Sequence, residues 1–324
     1  MQLAAAAMVL HSAAPAFAHH SQAAFDSSRE ITFEATVHRL DWKNPHIYLI
    51  VEVTEADGST RLQQIEGLAV TQAMVDGLDR NALTHGTRVL VHANPNRTGV
   101  GKTIRGLDVV TIADGKVHPF YRRTAGELSL VPANGLSGKW APSLAETGKA
   151  FGAAVGWKYT EKGRSGRLVG ACDIEPVPFL AVINEMRAIE VNDDTVVFHF
   201  NNSGDKAERV VHLDQSQHPA GIAPSLLGHS IGHWEGETLV IDTVGYAPHV
   251  SGLFSGYPAG AGKHTVERLT LTEDRLHLRY EITVEDPEYL QEPGSLSMLW
   301  DHRPDLDFTQ EPCDPAVSAR YLDD

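Results

Sequence analysis

The second half of the chain alternates with a period of two. Across residues 275–285, Leu276, Leu278, Tyr280, Ile282 and Val284 interleave with His277, Arg279, Glu281, Thr283 and Glu285. A strand turns successive side chains to opposite faces, so this pattern predicts a sheet with one apolar and one polar side. Comparable segments recur at 179–191, 195–201, 208–214, 238–244, 264–272 and 296–302. Turn formers such as Asn192-Asp193-Asp194 and Glu273-Asp274 separate several of them. Strands at this spacing, with no long helices between them, predict an antiparallel sandwich or barrel over residues 138–324.

The first part reads differently. Strand signals at 31–40, 47–53 and 61–66 are followed by a short helix at 71–78, with Thr71 in a capping position, then by strands at 87–93 and 105–112. Three strands, a helix and two strands is the order of a small Greek-key barrel of OB type. The expected organisation is an OB-like unit over 19–118, a connection over 119–137 containing Pro119, Pro132 and Gly135, and the larger barrel from 138 onward. The whole is expected to be all-β. The formal charge of −15 repels phosphate backbones, and aromatics are sparse in the first unit, so nucleic acid is not an expected partner.

Residues 1–18 read as a secretory signal, with an apolar run at 4–10 and a small-x-small site at Ala16-Phe17-Ala18, although no Lys or Arg precedes the run. The run is too short to span a bilayer, and no later stretch is apolar for long enough, so a periplasmic or secreted protein without a membrane span is expected. Cleavage after Ala18 would leave His19 at the N-terminus, followed by His20. An amine and an imidazole from one residue chelate copper well, and His46 is a candidate third ligand. Cys172 and Cys313 are the only cysteines, and in an exported protein such a pair is expected to bridge.

The runs His19-His20-Ser21, Asp41-Trp42-Lys43-Asn44-Pro45-His46 and Ala113-Asp114-Gly115 resemble a family of exported bacterial proteins of unknown function, DUF6152, over residues 19–118. The resemblance implies export and a domain limit, brings no reaction, and adds weight to the metal reading of the histidines. Gly138-Lys139-Trp140 resembles the opening signature of lipocalins, in which the Trp closes the barrel base. The second half also resembles a wider set of exported bacterial proteins of unknown function. These share a Gly-His-Ser-Ile-Gly-x-Trp-Glu-Gly-x-Thr-Leu run, present at 228–239, then Ile241-Asp242-Thr243 and His264-Thr265-Val266-Glu267-Arg268.

These motifs supply the candidate site. His229 and His233 share one face of an extended segment. Asp242 falls among valines by parity, and Glu267 shares parity with Leu269, so both carboxylates are expected to be paired or hydrogen-bonded. One reading places His229, Asp242 and Glu267 at the rim of a hollow barrel as an acid/base group, with His233, Trp234, His264 and Trp140 lining the ligand. The other is structural, with Asp242 capping the turn at 234–236 and Glu267 paired to an arginine such as Arg209. A metal centre of His229, His233 and His264 is a third arrangement. The function expected is binding of a small apolar molecule, with isomerase, dehydratase or hydratase chemistry if the acids and imidazoles converge. Copper binding through the N-terminal histidines and a purely structural module are the alternatives. Serine-hydrolase, P-loop, dinucleotide-binding and haem-attachment chemistries are not expected.

Overall fold

The computed structural model describes residues 24–99, 102–121, 130–170, 172–183, 185–202, 205–307 and 312–318. The expected leader, with His19 and His20, lies outside these residues.

The first sheet begins as an antiparallel meander of β1 (Ile31–Asp41), β2 (Tyr48–Thr54) and β3 (Thr60–Glu66). A helix, α1 (Val70–Val75), leads to β4 (Arg88–Asn94), which pairs with the free edge of β1. β5 (Ile104–Thr111) pairs with β4 and also runs parallel to β3 through Ile65↔Ile104 and Glu66↔Arg105, closing a five-strand ring. Inward Val37, Leu49, Val51, Ile65, Val89, Val91 and Val109 are wholly buried and fill it. Thr71 does not cap the helix. The residue before it, Ala69, offers no side-chain acceptor, and Asn44 Oδ1 takes the Val70 amide at 2.9 Å instead. The cap thus comes from a distant loop, which local sequence does not show. The ring also extends past the expected limit at 118. β6 (Val117–Pro119) pairs with β5, and Phe120 plugs the core. Gly67 and Gly106 make room for it, since a Cβ on either would lie 2.7 or 2.9 Å from the Phe120 ring.

The second half forms a closed barrel of nine strands. In chain order they are β7 (Gly138–Pro142), β8 (Met186–Val191), β9 (Thr195–Asn202), β10 (Asp205–His212), β11 (His229–Glu235) and β12 (Thr238–Val244). A two-stranded hairpin, β13 (His249–Phe254) and β14 (Tyr257–Ala259), interrupts the series before β15 (His264–Leu271), β16 (His277–Glu285) and β17 (Gly294–His302). Every neighbouring pair around the ring is antiparallel except one. β10 and β11 run parallel and are matched only at Val211↔Ser230 and His212↔Ile231. The up-and-down antiparallel order expected from the alternation therefore breaks at this seam, because the chain crosses over between the two strands instead of turning back.

Two helices were not legible as such. α2 (Leu144–Val155) starts at a Ser143 cap that receives the Glu146 amide, a Ser-x-x-Glu start signal. α3 (Phe179–Val182) replaces the first part of the strand expected over 179–191. Its four residues are buried on all sides, so they carry no period to distinguish helix from strand. Phe151 of α2, Phe179 of α3 and Phe254 of β13 pack edge-on against one another and join the barrel's apolar cluster.

Inside the barrel, Leu239, Ile241, Leu269, Leu278, Tyr280, Ile282, Met298, Trp300, Trp140, Phe198 and Phe200 are all buried in one apolar cluster. The expected hollow container is instead occupied by large side chains along its strands. Trp140 is fully buried, and its Nε1 donates to Leu136 O at 2.9 Å. Its place is in the closed core, away from any ligand-accessible surface.

The disulfide expected between Cys172 and Cys313 is formed. Cys313 also bridges Asn44 of the first sheet, Asp314 N donates to Asn44 O at 3.1 Å, and Tyr48 Oη donates to Val317 O at 3.2 Å. A short helix, α4 (Pro315–Ser318), buries Val317 against Tyr48 and Ile50. The tail of the second half is therefore seated on the first sheet and bolted to the segment that follows α2.

Candidate functional site

The run at 228–239 builds one stretch of barrel wall. Gly228 sits at φ +71°, where a Cβ would press Val244 O at 2.7 Å, and its left-handed turn aims the chain into β11. At Gly232 a Cβ would meet Val211 Cγ1 at 2.7 Å, so this glycine lets β10 lie close alongside β11. Gly236, at φ +62°, turns the chain back into β12. Between these points successive residues serve opposite faces. Ser230 and Thr243 point inward while His229 and Asp242 point outward, and on β15 Thr265 and Glu267 point inward while His264 points outward.

The inward set is a closed polar network. Arg209 donates from Nη1 to Glu267 Oε1 at 3.0 Å and from Nη2 to Oε2, forming a two-pronged pair whose side chains are each only 2% exposed. Arg209 Nε donates to Ser230 Oγ at 2.9 Å and Nη2 to Thr243 Oγ1 at 2.7 Å. Tyr280 Oη donates to Glu267 Oε1 at 2.9 Å. Burial alone would weaken the guanidinium's charge, but the Glu267 carboxylate outweighs it and holds the Arg209 proton more tightly than usual. Glu267 is thus paired to Arg209, as the structural reading has it, and is sealed from solvent. It does not join a catalytic rim.

Gly228-His229-Ser230-Ile231-Gly232 has the Gly-x-Ser-x-Gly spacing of a hydrolase nucleophile elbow. Ser230, however, lies within a strand, is 1% exposed, and is held by Arg209 and Thr243. The sharp strand-to-helix turn that exposes such a serine is replaced by flat sheet, so the spacing carries packing and not nucleophilic chemistry.

The outward set converges. Asp242 Oδ2 lies 2.9 Å from His264 Nε2, and Oδ1 lies 2.8 Å from Nε2 of His218, a loop residue between β10 and β11. His218 Nδ1 lies 2.9 Å from His229 Nδ1, and the His212 ring stacks on His229 with centroids 5.1 Å apart. An ionised Asp242 accepts both Nε2–H groups. A neutral His218 then has a bare Nδ1, which accepts from His229 Nδ1–H. The lone pair of the chain ends on His229 Nε2. Burial raises the Asp242 carboxyl, but the hydrogen bonds and charges of His218 and His264 outweigh it and bring the group below its ordinary value. Burial, together with the neighbouring His218 and His212, pushes the His229 ring down.

Of the residues singled out from sequence, the fold therefore brings together His229, Asp242 and His264, on the outer wall and not at a rim. It adds His218 and His212. Asp242 does not cap the turn at 234–236, because its oxygens face the two imidazoles. His233 shares the outer face but is engaged 3.3 Å from Glu235 Oε1, and Trp234, 41% exposed, lies at the strand end away from the cluster. His46 has Nδ1 3.0 Å from Gly67 O in the first sheet. Among the described residues, no group of three or more His, Cys, Asp or Glu side chains is arranged to hold a metal ion.

A groove of about 460 Å³ runs along the parallel seam, lined by Ala207, Val210, Leu226 and Leu227, by Ile174, and by His212 and His229. The outward chain of polar groups ends at its edge.

These features make the chain a disulfide-linked, nearly all-β protein with a closed nine-strand barrel and a separate sheet. Residues 6–105 match the model of a family described as "Family of unknown function (DUF6152)". No curated protein and no solved structure matches the chain. Among the described residues no helix is long and apolar enough to cross a membrane.

The His229 assignment has a spectroscopic consequence. Its ring is expected to titrate below the ordinary 6.5, and His218→Ala is expected to bring it back toward that value. A ring lowered in the folded state contributes stability at pH above its unfolded value, and that contribution is lost as pH falls through the folded one. Imidazole-resolved NMR titration measures both proteins, and a His229 that titrates identically in the two would contradict the wiring.

Proposed function

We propose that the protein binds a small, largely apolar molecule in the groove along the β10–β11 seam and moves a proton on it through His229. The supporting observation is the Asp242–His218–His229 chain, whose last ring lines the groove; with Asp242 ionised and His218 neutral, His229 Nε2 carries the lone pair. A histidine with a depressed pKa is mostly neutral at pH 7 and is ready to accept a proton from carbon or oxygen. Removal of a proton beside a carbonyl and its return elsewhere is the common step of isomerisation, dehydration and hydration.

A carrier without turnover is the second reading, favoured by the apolar side chains of Leu226, Leu227 and Ile174 in the groove. The disulfide supports a periplasmic or secreted setting, since such bonds persist in oxidising compartments. The net charge of −15 argues against nucleic acid as the partner.

The test uses the full mature chain with a panel of small cyclic ketones and enones in D2O. NMR shifts are expected at the Leu226 and Leu227 amides, with deuterium appearing beside the carbonyl of a bound ketone. His229→Gln is expected to retain the shifts and lower deuterium uptake by roughly 10²–10⁴-fold. Shifts without deuterium uptake would select the carrier, and a panel that perturbs no groove residue would refute both readings.

A further inference from the structure

Arg187 is the second arginine inside the barrel, and it is not built like Arg209. It lies on β8 with 1% exposure, stacked with its Cζ 4.5 Å from the centre of the Trp300 ring. One nitrogen, Nη2, donates to Ile183 O at 2.8 Å. Nε and Nη1 meet no acceptor, and neither does Trp300 Nε1, although Trp300 is completely buried. Glu185 and Tyr280 are near enough to favour the positive charge, but neither accepts from Nε or Nη1, and the Tyr280 hydroxyl is committed to Glu267. Burial drives the guanidinium down to about 9, still well above neutrality, so Arg187 carries its charge at pH 7.

Buried donors are almost always satisfied, and a buried cation with vacant N–H groups is among the costliest arrangements a fold can keep. All three vacant atoms here are donors. A water could take two of them, but it adds no negative charge, and Glu185, though it favours the guanidinium's charge, accepts from neither Nε nor Nη1. An acceptor that also carries a negative charge meets both needs.

We propose that the barrel holds a small monovalent anion of chloride size between the Arg187 guanidinium and the Trp300 indole N–H. The site is separate from the groove and does not depend on it. Its occupant is compact, because Arg187 and Trp300 are shut off from solvent. The ion becomes part of the core and links β8 to β17 across β7.

The test is diffraction from crystals grown in bromide, together with thermal melts in chloride, formate and gluconate at equal ionic strength. A bromide anomalous peak within hydrogen-bond distance of Arg187 Nε or Nη1 and Trp300 Nε1 is expected. Melting temperature is expected to rise by several degrees from gluconate to chloride, because an ion bound only by the folded state stabilises it by mass action. Arg187→Met is expected to abolish that dependence. Should it fail to fold, Trp300→Phe, which removes one donor and keeps the stack, is expected to weaken it. A larger rise in formate than in chloride would still support the anion and identify a carboxylate as its better occupant. A water at the position with no bromide signal, or equal melting in all three salts, would overturn the proposal.

Discussion

Glu267→Gln is expected to destabilise the protein by about 3–5 kcal/mol, the usual cost of stripping one partner from a buried ion pair. The exchange nearly preserves shape, so the loss comes from leaving the Arg209 charge without its counterion inside the barrel. Arg209→Met is expected to cost a similar amount, for the converse reason. The double variant Arg209→Met, Glu267→Leu removes both charges and is expected to lose less than the sum of the two single changes. It will not return to the wild-type value, because Ser230, Thr243 and Tyr280 would then face an apolar core, at roughly 1–3 kcal/mol for each unsatisfied group. Urea titration of the wild type, the single changes Arg209→Met and Glu267→Leu, and the double variant gives the coupling directly. Additive losses would mean that the pair is not one unit.

The second large effect is covalent. Cys172 and Cys313 are 141 residues apart, so their bond restrains a long loop of the unfolded chain. The chain-entropy relation puts the stabilisation at about 5 kcal/mol, and measured losses on removing native bridges run at about 2–5 kcal/mol. The paired change Cys172→Ser, Cys313→Ser is expected to lower stability within that range. The loss should include the docked tail, because Cys313 is what holds Val317 near Tyr48 and Ile50. Limited proteolysis should clip the variant first within 312–318, while the barrel survives longer. Unchanged melting after reduction would show that the tail stays in place without the bond.

Much of this fold is written in the period of its side chains, because a buried face forces alternation on any strand. The count places Leu276, Leu278, Tyr280, Ile282 and Val284 on one face; the last four point inward from β16 as it requires, while Leu276 lies in the bend before the strand and is half-buried. The cysteine pair followed from number and compartment. The parallel seam could not be read, since nothing local in 205–212 names a partner in 229–235. α2 is absent from the expectation although Ser143 and Glu146 open it, because its small residues Gly148, Ala150, Gly152 and Ala154 mask the helical face.

The site was half legible for the same reason. Parity correctly put Glu267 with Leu269 and separated it from His264. It could not say which face of β12 looks into the core, and valines beside Asp242 suggested the wrong one. The outer wall there is itself covered in part by the loop that carries His218. That histidine sits between Gln217 and Pro219 in a segment with no period at all, so only the coordinates could bring it to Asp242.

A ring of strands is as strong as its shortest joint. Here eight joints are antiparallel ladders, and the ninth is a parallel join matched at only two positions. If the wall parts anywhere, it should part between Val211 and Ser230, spreading the staves beside the groove while the remaining hoop holds.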